Sequence, residues 1–225
     1  MAEPAIDTRP AFTEHAARRA LVHACRLGGL RSDGADLIRL GSNAVFRLDR
    51  DTIARVAPAI GARESAETQI AVSRWLASTG YPAVRAVDVE QPVEADGRIV
   101  TFWESVAPET VYAPISDVAA LIRRLHELPT PPDLALPDLR PFGRTDDPLP
   151  EFDGLDPDDA AFLRERFAWA RRTFPTLTFP LGYGVIHGDA NVGNVLVDEH
   201  GQAVLIDLDS FSIGPRDGRG ARVAY

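Results

Sequence analysis

The stretch VIHGDANVGNVLV (residues 185–197) sets one His, one Asp, two Asn and two Gly between short apolar runs, and VLIDLD (204–209) follows closely. The alternation in NVLVD and VLIDLD predicts two strands paired through the turn DEHG. Such a hairpin brings its open ends together, so Asn194 and Asp207 approach each other although 13 residues apart in sequence. Asp189 lies on the loop entering the first strand. Two carboxylates and an amide meeting there form a hard, oxygen-rich site suited to Mg2+, which takes few protein oxygens and completes its shell with phosphates and water. Asp, Asn and Gly also build ordinary surface turns, which suffices for any one of these residues taken alone. The ordered set, H-G-D, then Asn five residues after the Asp, then I-D-x-D, points to chemistry.

The rest of the composition narrows the class. The chain has 225 residues, 45% of them apolar and 25% charged, enough for one large domain or two small lobes with an ordinary core. A formal charge of −9 argues against general binding of nucleic acid. A single cysteine, Cys25, excludes an internal disulfide framework. The start, MAEPAIDTRP, lacks a basic region followed by an apolar run, and no segment approaches spanning length; the expectation is a cytoplasmic protein without a membrane partner. All 24 basic residues are arginine, so any phosphate-binding cation must be an arginine. Nothing in the pattern specifies an oligomeric state.

Outward from the decisive stretch, residues 11–27 carry helical periodicity and stop at Gly28-Gly29. Strands are predicted at 35–41, 44–49 and 52–57, a helix over 62–79 closed by Gly80, and strands near 84–90 and 98–104 around the turn EADG. A helix over 115–127 with Ser116 as its cap follows. Next comes a Pro- and Asp-rich surface excursion over 129–158, then an amphipathic helix over 158–173.

HGDANVGNVLV followed by VLIDLD resembles the catalytic segment of the aminoglycoside phosphotransferase and choline kinase-like family, relatives of protein kinases, where the pattern reads H-R-D, Asn five residues on, then D-F-G. The resemblance implies an α+β, bilobal protein-kinase-like fold. It has a β-rich N-lobe over 1–105 and a mainly helical C-lobe over 106–225 that carries the catalytic β-hairpin. It makes Asp189 the catalytic residue, Asn194 and Asp207 the metal ligands, and His187 a structural member of the loop. Asp209 would serve the outer shell of the metal or cap a turn, while Asn191 has no assigned role and would at most support the turn. Gly41, Ser42 and Asn43 in LGSNAVFRL would form the nucleotide cover, and Arg55 in TIARVA the phosphate-binding cation. In the family a Glu from the following helix meets that cation; here the matching place holds Gln69, with Glu64 and Glu67 nearby. Glu104, Ser105 and Val106 would offer backbone groups to the adenine, and His126 would pack. The implied reaction moves the γ-phosphoryl group of ATP or GTP, with Mg2+, to a hydroxyl of an aminoglycoside or other amino alcohol or sugar-like acceptor.

The acidic run over 144–159 is read as a solvated loop with Asp156 capping a helix, rather than as an attractor of cationic acceptors. GPRDGRGARVAY lacks helical periodicity, so the expectation is a truncated C-lobe, interrupted near Asp217, with incomplete acceptor-site helices. Two alternatives stay open: a catalytically impaired, nucleotide-binding remnant, and a facial iron triad built on His187 and Asp189, for which only His200 is available downstream.

Overall fold

The computed structural model of the protein describes residues 12–143, 147–152 and 154–217. They fall into two units, one comprising the chain through Pro114 together with Val192–Asp209, the other Ile115–Asn191 together with the chain from Ser210. The sequence expectation of a boundary at 105/106 differs in two respects. The first unit runs on to Pro114, and it recovers a hairpin from near the far end of the chain. Among the described residues no helix is long and apolar enough to cross a membrane.

In the first unit, α1 (Glu14–Leu27) begins where Thr13 Oγ1 accepts the Ala16 N–H, and it buries Ala17, Ala20, Leu21, Ala24 and Cys25. Burial pushes the Cys25 thiol up to about 11, so it serves as a small apolar group. Strands β1 (Asp36–Leu40), β2 (Ala44–Arg47) and β3 (Thr52–Val56) form an antiparallel meander. After α2 (Arg63–Ser78), β4 (Val93–Ala95) and β5 (Arg98–Glu104) complete a five-stranded sheet of order β1-β2-β3-β5-β4. The two-residue period of the strands decides which face meets the helix. Ala44, Phe46, Ala54, Val56, Val100 and Phe102 pack with α1 in one buried cluster. Full burial of Phe46 and Phe102 contributes about 2–3 kcal/mol each. Val45, Arg47, Ile53 and Arg55 point to the opposite face.

The strand predicted at 84–90 is displaced. The turn at Asp96-Gly97, both at positive φ, pairs β5 with Val93–Ala95 instead. The physical reason is Gln91. Its side chain takes the place of a strand at Phe102, accepting the Phe102 N–H at 2.8 Å and donating to the Phe102 carbonyl at 3.2 Å. Residues 85–87 then run alongside β5 with isolated bonds, Glu104 N–H to Arg85 O and Val87 N–H to Phe102 O.

Strands β6 (Tyr183–Ile186), β7 (Val195–Val197), β8 (Ala203–Leu205) and β9 (Ser212–Pro215) are divided between the two units. The hairpin β7-β8 pairs Val195 with Leu205 and Val197 with Ala203, as the alternation predicts. It joins the first unit because both its edges are occupied there. On one side Val84 N–H donates to Leu205 O and Leu205 N–H to Pro82 O. On the other Ala113 N–H donates to Val195 O and Val197 N–H to Val111 O.

The second unit holds α3 (Ile115–Glu127), α4 (Pro157–Thr173) and the antiparallel pair β6-β9. Ser116 does not cap α3. The helix already starts at Ile115, and the Ser116 hydroxyl donates to Asp117 Oδ1. Asp156 does cap α4, accepting the Asp158 N–H at 2.9 Å. The excursion before α4 is tied down by Arg171, which is only 8% exposed. Its guanidinium donates to the carbonyls of Phe142 (2.8 Å), Asp147 (2.7 Å) and Pro148 (3.3 Å) and lies over the Phe167 ring. Arg171→Met keeps the apolar bulk but strands three carbonyls, and an equilibrium urea titration is expected to show a loss of about 3 kcal/mol. A loss under about 0.5 kcal/mol would show that the loop is held by other means.

His126, in the last turn of α3, has its basicity lowered first by burial and then by the charge of Arg216. Its folded pKa therefore lies below the unfolded value of about 6.5, and the unfolded chain binds the proton more readily. The stability it contributes is complete above that value and is lost as pH falls through the folded pKa. The thermal midpoint is expected to drop between about pH 7 and pH 5.5, with a smaller drop in His126→Gln. The expectation of a C-lobe interrupted near Asp217 falls mainly on residues 218–225, which lie outside those described. Asp217 itself accepts the Leu181 N–H through both carboxylate oxygens, at 2.9 and 3.1 Å.

Candidate active site

The face of the sheet turned away from α1 lines a cavity of about 250 Å3 within the first unit. Strand pairing assembles its wall: Val45 sits opposite Arg55, Arg47 opposite Ile53, and Ile53 opposite Trp103. Hydrophobic walls come from Ile38, Val45, Ile53, Val84, Trp103 and Leu196, and cations from Arg39, Arg47 and Arg55. A bulge between Leu37 and Arg39 shifts the register of β1, so adjacent Ile38 and Arg39 both reach the cavity.

The hairpin supplies the acidic side. Asn194 and Asp207 line the same cavity, and their neighbourhoods are pinned together by the Ile206 N–H donating to the Asn194 carbonyl at 2.9 Å. Asp207 has φ +58°, a left-handed conformation uncommon outside glycine. Arg55 Nη2 donates to Asp207 Oδ1 at 3.1 Å, with the side chains 18% and 28% exposed, and Arg55 Nη1 donates to Gln69 Oε1 at 3.3 Å. Gln69, rather than Glu64 or Glu67, therefore meets the cation; Glu67 pairs with Arg63 instead. One carboxylate and one amide make too small a donor set to cage a metal alone, and among the described residues no group of three or more His, Cys, Asp or Glu is placed to do so. The pair suits an ion that draws its other ligands from phosphate and water.

Glu104, Ser105 and Val106 also line the cavity. The Glu104 N–H is already committed to Arg85 O and the Ser105 N–H to Asp51 O. Gly41, Ser42 and Asn43 are not among the lining residues; they form a tight turn in which the Gly41 N–H meets Asn43 O.

Asp189 belongs to the second unit, where β6 delivers it. His187 is 1% exposed and meets the Phe211 ring edge-on at 5.3 Å. Its Nδ1 accepts the Asp189 N–H at 3.3 Å, which assigns the ring proton to Nε2. Asn191 Nδ2 donates to the Asp189 carbonyl (3.0 Å) and to its Oδ1 (3.3 Å), so Asn191 orients the carboxylate. Asp209 sits in a 3-10 turn, Leu208–Ser210, and His200 in the β7-β8 turn.

A family model described as the phosphotransferase enzyme family, APH, matches residues 38–217. The chain belongs to the APH phosphotransferase family. No curated protein matches it. Solved structures share the kinase-like fold of this APH-family chain. An aminoglycoside phosphotransferase from Streptomyces rimosus aligns with TM-score 0.60 at 21% identity, over 88% of this chain and 78% of its own. An amicoumacin kinase, solved with AMP-PNP, Ca2+ and Ami, gives 0.65 at 14%, over 92% and 69%. Choline kinase from Streptococcus pneumoniae gives 0.59 at 12%, over 87% and 69%.

Two features of this APH-family chain escape a motif-based reading. Arg47 reaches across the cavity wall to Ser105 Oγ at 2.9 Å and the Ala107 carbonyl at 3.4 Å. Its signal was the in-phase spacing of Val45 and Arg47 opposite Ile53 and Arg55. Asn191 carries no spacing signature beyond the short Asp-x-Asn step.

Proposed function

We propose that this chain is a small-molecule kinase that transfers the γ-phosphoryl group of ATP or GTP to a hydroxyl of an amino-sugar or amino-alcohol acceptor. The observation that carries the proposal is the convergence of Arg55, Asp207 and Asn194 on one cavity whose wall also carries the apolar Ile38, Val45, Ile53, Val84, Trp103 and Leu196. A flat base would lie against Ile53 and Trp103, with Val106 on the same lining, and phosphates against Arg55. Asn194 and Asp207 would hold Mg2+, which supplies charge neutralisation at the phosphates. Asp189, oriented by Asn191, would accept the proton of the acceptor hydroxyl, and His187 would hold the loop. Catalysis of this kind is mainly positioning and electrostatic stabilisation.

Family membership and the kinase-like fold support the donor class. So do the nucleotides bound by structural neighbours: AMP-PNP in the amicoumacin kinase, ADP in a spectinomycin phosphotransferase and GDP in a kanamycin-bound enzyme. A Mg2+-dependent transfer assay against amino sugars, amino alcohols and macrolides tests the proposal, with labelled phosphate on one acceptor class as the expected result. The neutral Gln69 beside Arg55 favours a second reading, a nucleotide-binding protein without transfer. Thermal stabilisation by MgADP together with no transfer to any acceptor would select it.

A further inference from the structure

Among the described residues, Arg55 has one anionic partner, Asp207 at 3.1 Å; its other contact is the neutral amide of Gln69 at 3.3 Å. Gln69 Nε2 donates to Ser65 Oγ at 3.1 Å, which turns the amide oxygen toward the guanidinium. A carboxylate at position 69 would hold the cation from the α2 side. The amide does not, so the permanent charge of Arg55 rests on the carboxylate proposed to take the metal. One carboxylate oxygen serving both a guanidinium and a divalent ion brings two positive centres together at short range, which is unfavourable in a partly buried site.

We infer that nucleotide phosphate replaces Asp207 as the anion held by Arg55, and that this exchange releases Asp207 Oδ1 for the divalent cation. Gln69 is the positioning residue that leaves Arg55 free to move. The inference rests on the proposed kinase function. Without nucleotide, Arg55 and the metal compete for Asp207; with nucleotide, each has its own anion. Divalent cation and nucleotide therefore bind with positive coupling through the protein, beyond the chelation of metal by the nucleotide itself.

Measuring the protein without nucleotide removes that chelation from the test. In a Mn2+ titration followed by electron paramagnetic resonance, Gln69→Glu is expected to bind Mn2+ about tenfold more tightly than wild type, because the introduced carboxylate draws Arg55 away from Asp207. By calorimetry in EDTA the same variant is expected to bind ADP about tenfold more weakly, since phosphate must now compete with a fixed carboxylate. Gln69→Leu, which adds no charge, is expected to leave Mn2+ binding no tighter than in wild type. Arg55→Gln guards against misfolding of the first variant: removing the cation is expected to tighten Mn2+ binding, whereas a purely structural Arg55 would make its loss weaken it.

Unchanged or weaker Mn2+ binding in both Gln69→Glu and Arg55→Gln overturns the exchange, provided that wild type binds MgADP. If wild type binds neither ADP nor MgADP, the kinase reading fails, and the exchange with it.

Discussion

Asp189→Asn is expected to reduce phosphotransfer about a thousandfold, the scale of a lost general base, while stabilisation by MgADP stays at the wild-type level. The amide matches the carboxylate in volume and still offers an oxygen to Asn191 Nδ2, which sits 3.3 Å from Oδ1. The buried His187 and its bond to the residue-189 N–H are untouched. What disappears is the capacity to accept a proton. The cavity assigned to nucleotide is lined by first-unit residues, so the donor should bind as before. Kinetics on the best acceptor from the panel, set beside a thermal-shift titration with MgADP, separate the two effects. A loss under tenfold would remove Asp189 from the role of base.

A stability effect of comparable weight is expected at Gly188, which has φ +82°. A Cβ there would lie 2.8 Å from Ser210 Cβ and closer still to the Ser210 carbonyl oxygen. An alanine thus meets a left-handed backbone and an immovable peptide group together, and Gly188→Ala is expected to lose about 3 kcal/mol or more. Gly201 supplies the control. Its φ is +79°, yet nothing lies within 4 Å of its notional Cβ. Gly201→Ala should therefore show the backbone penalty alone, about 1 kcal/mol. Equal losses in urea titrations of the two variants would mean that the contact with Ser210 yields easily.

Much of this architecture is written locally. Asp156 announces its helix through a side chain that accepts a nearby N–H, and the alternation of AVFR and TIARV separates core from cavity before any partner strand is known. The hairpin at Asn194 and Asp207 is legible for the same reason. What escaped depends on contacts distant in sequence or unusual in kind. Gln91 replaces a strand with an amide side chain, which no strand period can display. The bulge in β1 carries Ile38 and Arg39 to the cavity while the Gly41–Asn43 turn stays off it. The first unit runs past residue 105 and takes in the hairpin because the hairpin finds its edges at 82–84 and 111–113, pairings that leave no trace in local composition. Gln69 shows the converse: its neutrality is plain in the sequence, but only the structure shows that Arg55 meets both its amide oxygen and Asp207.

The pairing of β7-β8 with residues 82–84 and 111–113 also bears on the order in which the protein is made. Roughly the first half of the chain leaves the ribosome with α1 and the five-stranded sheet encoded, but with the backbone groups of 82–84 and 111–113 still waiting for partners. Those partners arrive only when residues up to about 205 have been synthesised, and closing so long a loop is slow. Until then the nascent first unit exposes unpaired extended chain, the kind of edge that recruits other chains. A gene fragment ending at Pro114 is therefore a poor candidate for an independently folding domain. The late hairpin completes the first unit with the strand ends that bear Asn194 and Asp207, so finishing the fold and finishing the cavity are a single event.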